Sequence, residues 1–286
     1  MMRRFALLVM LFSAGGLAGC PDDLGDGNGL TPRPAPRTFL SNPFRNTRDP
    51  NANGRTKPTH RLVVTMRVAS IEVPVGTASG SEEIWSYLDE EPVRAVRSAN
   101  LGRNGLRVGL GKLGTWPDLA RIFKRMTGRS PEQKMVACIP GNPLPVVLKE
   151  RREARTVFTF HDDRTLSGRD YPAGDYLLAV VCTLDEDNPS EILLTAMPQV
   201  RSSRRSTHYV MGDRGPRIVT RPEVFGFPQL TFQLRVPGES FLVIGPGANA
   251  RNPTSVGHHF LVKKKQGMEF ETLLVLIPEV LAAPVK

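Results

Sequence analysis

The sequence predicts an α+β protein: a small α/β module followed by a β-rich antiparallel sandwich or barrel-like domain. Three observations predict it. Short alternating or apolar runs recur from Pro145 to the C-terminal region, each bounded by turn residues, and many short strands at such spacing are the signature of a sandwich or barrel. Segments with helical spacing are confined to the first part of the folded region, after Ser81 and after Trp116. Finally, 25 prolines and 26 glycines among 286 residues favour short elements and frequent turns over long helices.

Order is expected from about residue 60. Leu62, Val64, Met66 and Val68 alternate with more polar neighbours, and Ile71, Val73 and Val75 extend the pattern into one strand or a bent strand pair. Gly76 to Gly80 reads as a loop. Ser79 or Ser81 can cap a helix with Glu82 and Glu83 in its first turn, where acids are favoured, and Ile84, Trp85 and Leu88 on one face. Pro92 stops it. Asn104-Gly105 is a turn signal leading into Leu106, Val108 and Leu110, a second strand. Trp116-Pro117-Asp118 opens a second helix, with Leu119, Ile122, Phe123 and Met126 on one face and Gly128 at its end. Strand, helix, strand, helix gives an α/β module over residues 60–135.

Residues 136–286 read as the β-rich domain. The strand candidates are 145–148, 156–160, 176–184, 192–197, 230–236, 240–244, 259–262 and 272–277. Turns fall at Asp162-Asp163, at Pro172 to Asp175, at Asp187-Asn188-Pro189 and at Pro237-Gly238. Residues 199–222 are rich in Arg and Ser and read as a long basic loop. The run from Glu271 to Pro278 resembles a closing strand of outer-membrane secretins over a short stretch, but a buried sandwich strand accounts for it better, because the long amphipathic strands of a membrane barrel are absent.

The N-terminus carries a different kind of signal. Arg3 and Arg4 precede an unbroken apolar run from Phe5 to Phe12, long enough for a signal h-region and too short to span a bilayer. Leu17-Ala18-Gly19-Cys20 follows, and this arrangement resembles the lipobox of bacterial lipoproteins. The resemblance covers residues 1–20. It implies that residues 1–19 are a signal peptide, that the Cys20 thiol receives a diacylglyceryl group, and that cleavage before Cys20 leaves the protein anchored by lipid. Residues 20–59, with ten prolines and glycines from Gly25 to Pro58 and few apolar residues, then read as a disordered tether. The address is the bacterial cell envelope, with the choice of inner or outer membrane left open by Pro21, Asp22 and Asp23.

The formal net charge is +10, and loss of Arg3 and Arg4 with the signal peptide leaves +8. In an exported protein this points away from nucleic acid and toward a membrane surface, an envelope protein or an anionic polymer. With Cys20 lipidated, Cys138 and Cys182 remain as a possible disulfide, and neither belongs to a C-x-x-C motif.

Motifs for chemistry are sparse. His161, Asp162 and Asp163 combine a histidine with two carboxylates and are weak metal candidates, with Asp170 and Asp175 further on; their place between a strand and a turn favours Asp bonding its own backbone. Asp185 to Asn188 begins like a calcium loop but lacks the sixth-position glycine and the twelfth-position acid, where Ser190 and Ala196 stand. His258-His259 has no partner at metal-ligand spacing. Gly102, Gly105, Gly109, Gly111 and Gly114 match neither a phosphate loop nor a dinucleotide fingerprint, and no cofactor is implied. Trp85, Tyr87 and Trp116 read as core or capping residues. The sequence thus predicts a membrane-anchored envelope lipoprotein with a structural, binding or assembly role and no catalytic motif. The alternative is a lipid-anchored hydrolase or carbohydrate-active enzyme whose site is assembled from distant residues.

Overall fold

The local signals act where they stand. Ser81 accepts from the Ile84 amide at 3.1 Å and starts a helix, and Gly128 ends another in the left-handed conformation, at φ 74°. The computed structural model describes residues 60–284 apart from Glu186, Asp187, Pro189, Asp213 and Arg214. The expected signal peptide, the Cys20 lipidation site and the tether at 20–59 lie outside the described residues, as do Glu186 and Asp187 of the acidic run.

In chain order the elements are β1 (His60–Pro74), α1 (Glu82–Trp85), α2 (Ala95–Arg103), β2 (Leu106–Lys112), α3 (Trp116–Thr127), β3 (Gln133–Cys138), β4 (Leu144–Arg152), β5 (Arg155–Phe160), β6 (Leu166–Tyr171), β7 (Gly174–Leu184), β8 (Ile192–Gly212), β9 (Gly215–Gly226), β10 (Phe232–Val236), β11 (Ser240–Pro246), α4 (Val256–Leu261), β12 (Val262–Lys265) and β13 (Met268–Pro284). The first sheet has the order β2-β11-β13-β1-β3, with β12 also on β13; the second has the order β10-β8-β7-β4, with β9 also on β8; β5 and β6 make a separate hairpin. Every strand pairing is antiparallel. The fold is a β-rich sandwich with a small helical part.

The first sheet is buried on both faces. Val64, Met66, Leu242, Ile244, Leu274 and Leu276 share a core with Leu178, Val180, Leu194 and Leu234 of the second sheet. Their alternates Ile71, Val73, Phe241, Val243, Leu273 and Val275 pack instead on Ile84, Trp85, Leu119, Ile122 and Phe123 of the helices. This two-sided burial explains why β11 and β13 read as unbroken apolar runs rather than alternating ones. Gly111 leaves the space that the Phe241 ring occupies, since a Cβ there would come within 2.2 Å of it.

The expected boundary at residue 135 does not divide the sheets. β1 pairs with β13 from His60 to Pro74, and β2 pairs with β11 from Leu106 to Lys112. β1 and β2 of the expected α/β module therefore each pair with a strand of the last fifty residues, β1 holding β3 on its other side, and the described residues belong to one compact unit. Three local readings also change. The helix capped by Ser81 is only four residues long, and α2, whose N-cap residue Arg94 makes no side-chain cap, follows it. Residues 259–262 are mostly helix, because Ser255 caps α4 by accepting from the His258 amide at 3.2 Å. Among the described residues, the expected basic loop at 199–222 is strand, the C-terminal part of β8 and most of β9.

Candidate functional site

β8 has two halves built from different sequence. From Ile192 to Ser202 its residues alternate between buried and half-buried, with β7 on one side and β10 and then β9 on the other. From Ser203 to Gly212 no residue is buried, and only β9 continues beside it. The change comes at a bulge: between Arg201 and Arg205 β8 takes four steps where β9 takes two, from Val224 to Pro222. Such a bulge bends and twists a strand, and here it lies where the two-stranded ribbon leaves the sheet. Ser203 holds the junction by donating its amide and hydroxyl to the Ala173 carbonyl, at 2.9 and 3.0 Å.

The ribbon is two-faced. Directly opposed residues of an antiparallel pair lie on the same side. Thr207, Tyr209 and Met211 oppose Thr220, Ile218 and Pro216, which makes one largely apolar side. Ser206, His208 and Val210 oppose Arg221, Val219 and Arg217, which makes the other side basic. Tyr209 is 80% exposed, Met211 79% and Ile218 62%. Arg204, Arg205, Arg217 and Arg221 are exposed, and among the described residues none of them forms an ion pair. Apolar side chains this exposed, beside unneutralised arginines, are the mark of an interaction surface rather than of a core.

The base of this arm is held by aromatic packing. Phe225, near the end of β9, and Phe227, just after it, lead into the protein body. The Tyr171 ring stacks on Phe227 at 4.9 Å and meets Phe225 edge-on at 6.2 Å; Phe227 meets Phe260 at 5.5 Å. Arg169 lies over both Tyr171 and Phe225 at 5.6 Å. The arm is thus an exposed ribbon rooted in a rigid aromatic cluster.

A second cluster, beneath the arm's root, gathers Lys149, Tyr176, His258 and His259. Lys149 is buried and donates its ammonium to the carbonyls of His258, at 2.9 Å, and Val262, at the C-terminal end of α4. Positive charge at that end is favourable, while burial, helped by Arg152, Lys263 and Arg155, brings its pKa down to about 7. His259 stacks on Tyr176 with centroids 6.2 Å apart, and burial together with Lys149 lowers its pKa to about 4. Among the described residues the Tyr176 hydroxyl and the His259 Nε2 have no hydrogen-bond partner. Four surface clefts, of about 650, 340, 320 and 80 Å³, are lined by other residues, none of them a histidine. Through the Lys149 hydrogen bonds and the stacking on Tyr176, this cluster anchors α4 to β4 and β7.

The metal candidates part company. His161 to Thr165 close the β5–β6 hairpin, with the His161 amide donating to Thr165 at 2.9 Å. Asp163 accepts from the Thr165 amide and hydroxyl, which hold its carboxyl below the usual range. Asp162 accepts from Asn100 at 2.8 Å and pairs with Arg97, while His161 Nε2 meets the Ser167 hydroxyl. Asp170 accepts from Thr156, and Asp175 from Arg151 and Arg201. Among the described residues no three His, Cys, Asp or Glu side chains are grouped to hold a metal. Trp85 is buried and donates to the Ala78 carbonyl at 2.9 Å, and Trp116 packs on Phe241. Cys138 and Cys182, expected as a possible bridge, are neighbouring free thiols.

Sequence reasoning missed the arm because its strands carry few apolar residues. The alternation of Thr207, Tyr209 and Met211 was the signal available. It also missed Glu271, a fully buried carboxylate that accepts from the amides of Ala78 and Ser79 and from the Ser79 hydroxyl, at 2.8, 2.9 and 2.6 Å, and so pins the loop after β1. No protein-family model, no curated protein and no solved structure matches the chain.

Proposed function

We propose that the chain is an exported bacterial envelope lipoprotein, anchored through Cys20, whose β8–β9 arm binds the interfacial region of an anionic membrane. The observation that carries the reading is the two-faced arm: Tyr209, Met211 and Ile218 on one side, Arg217 and Arg221 on the other, all exposed. A membrane–water interface accepts this combination, because apolar side chains enter the acyl boundary while arginines reach the headgroup phosphates. Between Ser203 and Glu223 the sequence holds five arginines against Asp213 and Glu223. Each basic residue near an anionic surface contributes about 1 kcal/mol, so the arm adds a second attachment to that of the lipid. Among the described residues no helix is long and apolar enough to cross a membrane.

Two experiments separate the parts of this reading. For the anchor, Cys20→Ala is expected to lose both metabolic labelling with a fatty-acid analogue and membrane retention; equal labelling of the variant would overturn it. For the arm, the full chain carrying Cys20→Ala removes the lipid from the measurement. It is expected to co-sediment with vesicles containing anionic phospholipid and much less with neutral ones. Replacing Arg204, Arg205, Arg217 and Arg221 by glutamine should weaken that binding by roughly two to three powers of ten at low salt. Equal binding to neutral and anionic vesicles, or no effect of the four substitutions, would overturn the membrane role. The ribbon also favours a second reading: beyond Ser203, among the described residues, the outer edges of both its strands are unpaired, so a partner protein could add a strand there.

A further inference from the structure

Cys138 and Cys182 stand on different sheets. Cys138 is the last residue of β3, the edge strand of the first sheet, opposite Val64; Cys182 lies within β7 of the second sheet, opposite Leu194. The chain crosses between the sheets at this point, since the Gly141 amide, three residues after Cys138, donates to the Cys182 carbonyl at 3.3 Å. Both side chains are buried in the core between the sheets, 5% and 1% exposed. Within that core the segment that leaves Cys138 passes directly beside Cys182. The shared core and the backbone hydrogen bond three residues after Cys138 bring the two cysteines together.

We propose that Cys138 and Cys182 are a built disulfide site, closed by thiol–disulfide exchange with a disulfide-bearing oxidant, which staples the two sheets together. In the first step the Cys138 thiolate attacks one sulfur of the oxidant, breaking its S–S bond and releasing one thiol. In the second, the Cys182 thiolate attacks the Cys138 sulfur of the mixed disulfide and expels the other half. The two cysteines lose two protons and two electrons; the oxidant gains them and becomes two thiols.

The environment suits this order. Cys138 ends an edge strand beside Ile139, which is 62% exposed, so it is the sulfur an oxidant reaches first when the strand end opens. The hydrogen bond with Cys182 lowers the Cys138 thiol below its usual value, whereas the bond with Cys138 and burial push Cys182 up. The geometry stands on these residues alone, and export, argued above, would supply the oxidant.

The bridge would close a loop of 44 steps between residues 138 and 182, long enough for a marked restriction of the unfolded chain. The test treats the full chain with oxidised glutathione, blocks remaining thiols under denaturing conditions, and maps the peptides by mass spectrometry. A crosslinked peptide pair joining Cys138 to Cys182 is expected, and thermal unfolding should fall by about 10 °C when dithiothreitol is added. Cys182→Ala should leave a mixed disulfide with glutathione on Cys138, whereas Cys138→Ala should leave Cys182 unmodified in the folded chain. Two free thiols at these positions after oxidation would overturn the proposal, and so would a melting temperature indifferent to reductant. Because mapping reads each cysteine separately, an unlipidated Cys20 would show itself without touching this result.

Discussion

The inner and outer halves of β8 are one continuous strand with opposite physics. Between Ile192 and Ser202 every second side chain is buried, and neighbouring strands flank both sides. Between Ser203 and Gly212 nothing is buried, yet the hairpin with β9 continues to its tip at Gly212 and Gly215. A two-stranded ribbon alone in water is marginal. Backbone pairing thus suffices to extend a strand whose direction the sheet has already set, and what the outer half lacks is a face to bury. On the proposed reading, that absence is what leaves it free to meet a membrane.

The largest expected difference is dynamic. Amides of Leu194 to Ala196 should exchange with solvent at least roughly a thousandfold more slowly than those of His208 to Val210, because the first open only with the sandwich and the second with the ribbon. Comparable protection in both halves would mean that the arm packs on something not evident in its exposure. Binding to anionic vesicles is expected to raise protection in the arm and leave the inner half unchanged.

Next in size are truncations on either side of the bulge. Phe227 is fully buried among Tyr171 and Phe260, so Phe227→Ala should cost about 3–5 kcal/mol in chemical denaturation. Tyr209→Ala, at 80% exposure, should fall within about 0.5 kcal/mol of the parent. It should still weaken vesicle binding. A large stability loss from Tyr209→Ala would break the division between the two halves.

The smallest effect is on pH. His259 has a folded pKa lowered to about 4 from an ordinary 6.5, through burial and then Lys149. The unfolded chain therefore takes up the proton first, and stability is lost as pH falls from about 6.5 to about 4. A decline of a few °C in melting temperature is expected over that window, roughly, and His259→Phe should flatten it while preserving the stacking on Tyr176. His258, shifted in the same direction, keeps part of the slope. Glu72 and Asp175, held below their ordinary values of 4.5 and 3.8, add a further loss at lower pH. Lys149 acts at the alkaline end: between about 7 and 10.5 the unfolded chain holds the extra proton, and stability rises with pH. An unchanged acid slope in His259→Phe would remove the histidine from this account.

Much of the local structure was legible in the sequence because it depends on residues a few positions apart. Ser81 capping α1, Gly128 closing α3, Asn104-Gly105 turning into β2 and Asp163 bonding Thr165 act within one turn of the chain. Alternation in the inner half of β8 and the unbroken runs of β11 and β13 likewise followed from side chains facing one layer or two. Where a local signal was weak, the reading missed the element: α2 begins without a side-chain cap, and arginine and serine crowd the outer half of β8.

By itself, then, the sequence determined the β-rich antiparallel class, the turns and caps, and the chemical character of each segment, since each of these depends on neighbours along the chain. The tertiary structure alone decided that β1 would pair with β13 and β2 with β11, that Cys138 would meet Cys182, and that a basic stretch would stand out as an arm. Those outcomes depend on which distant segments meet. An antiparallel strand accepts any partner of suitable face and length, so the choice is made by the shared core, where burial of both sheets must be satisfied at once.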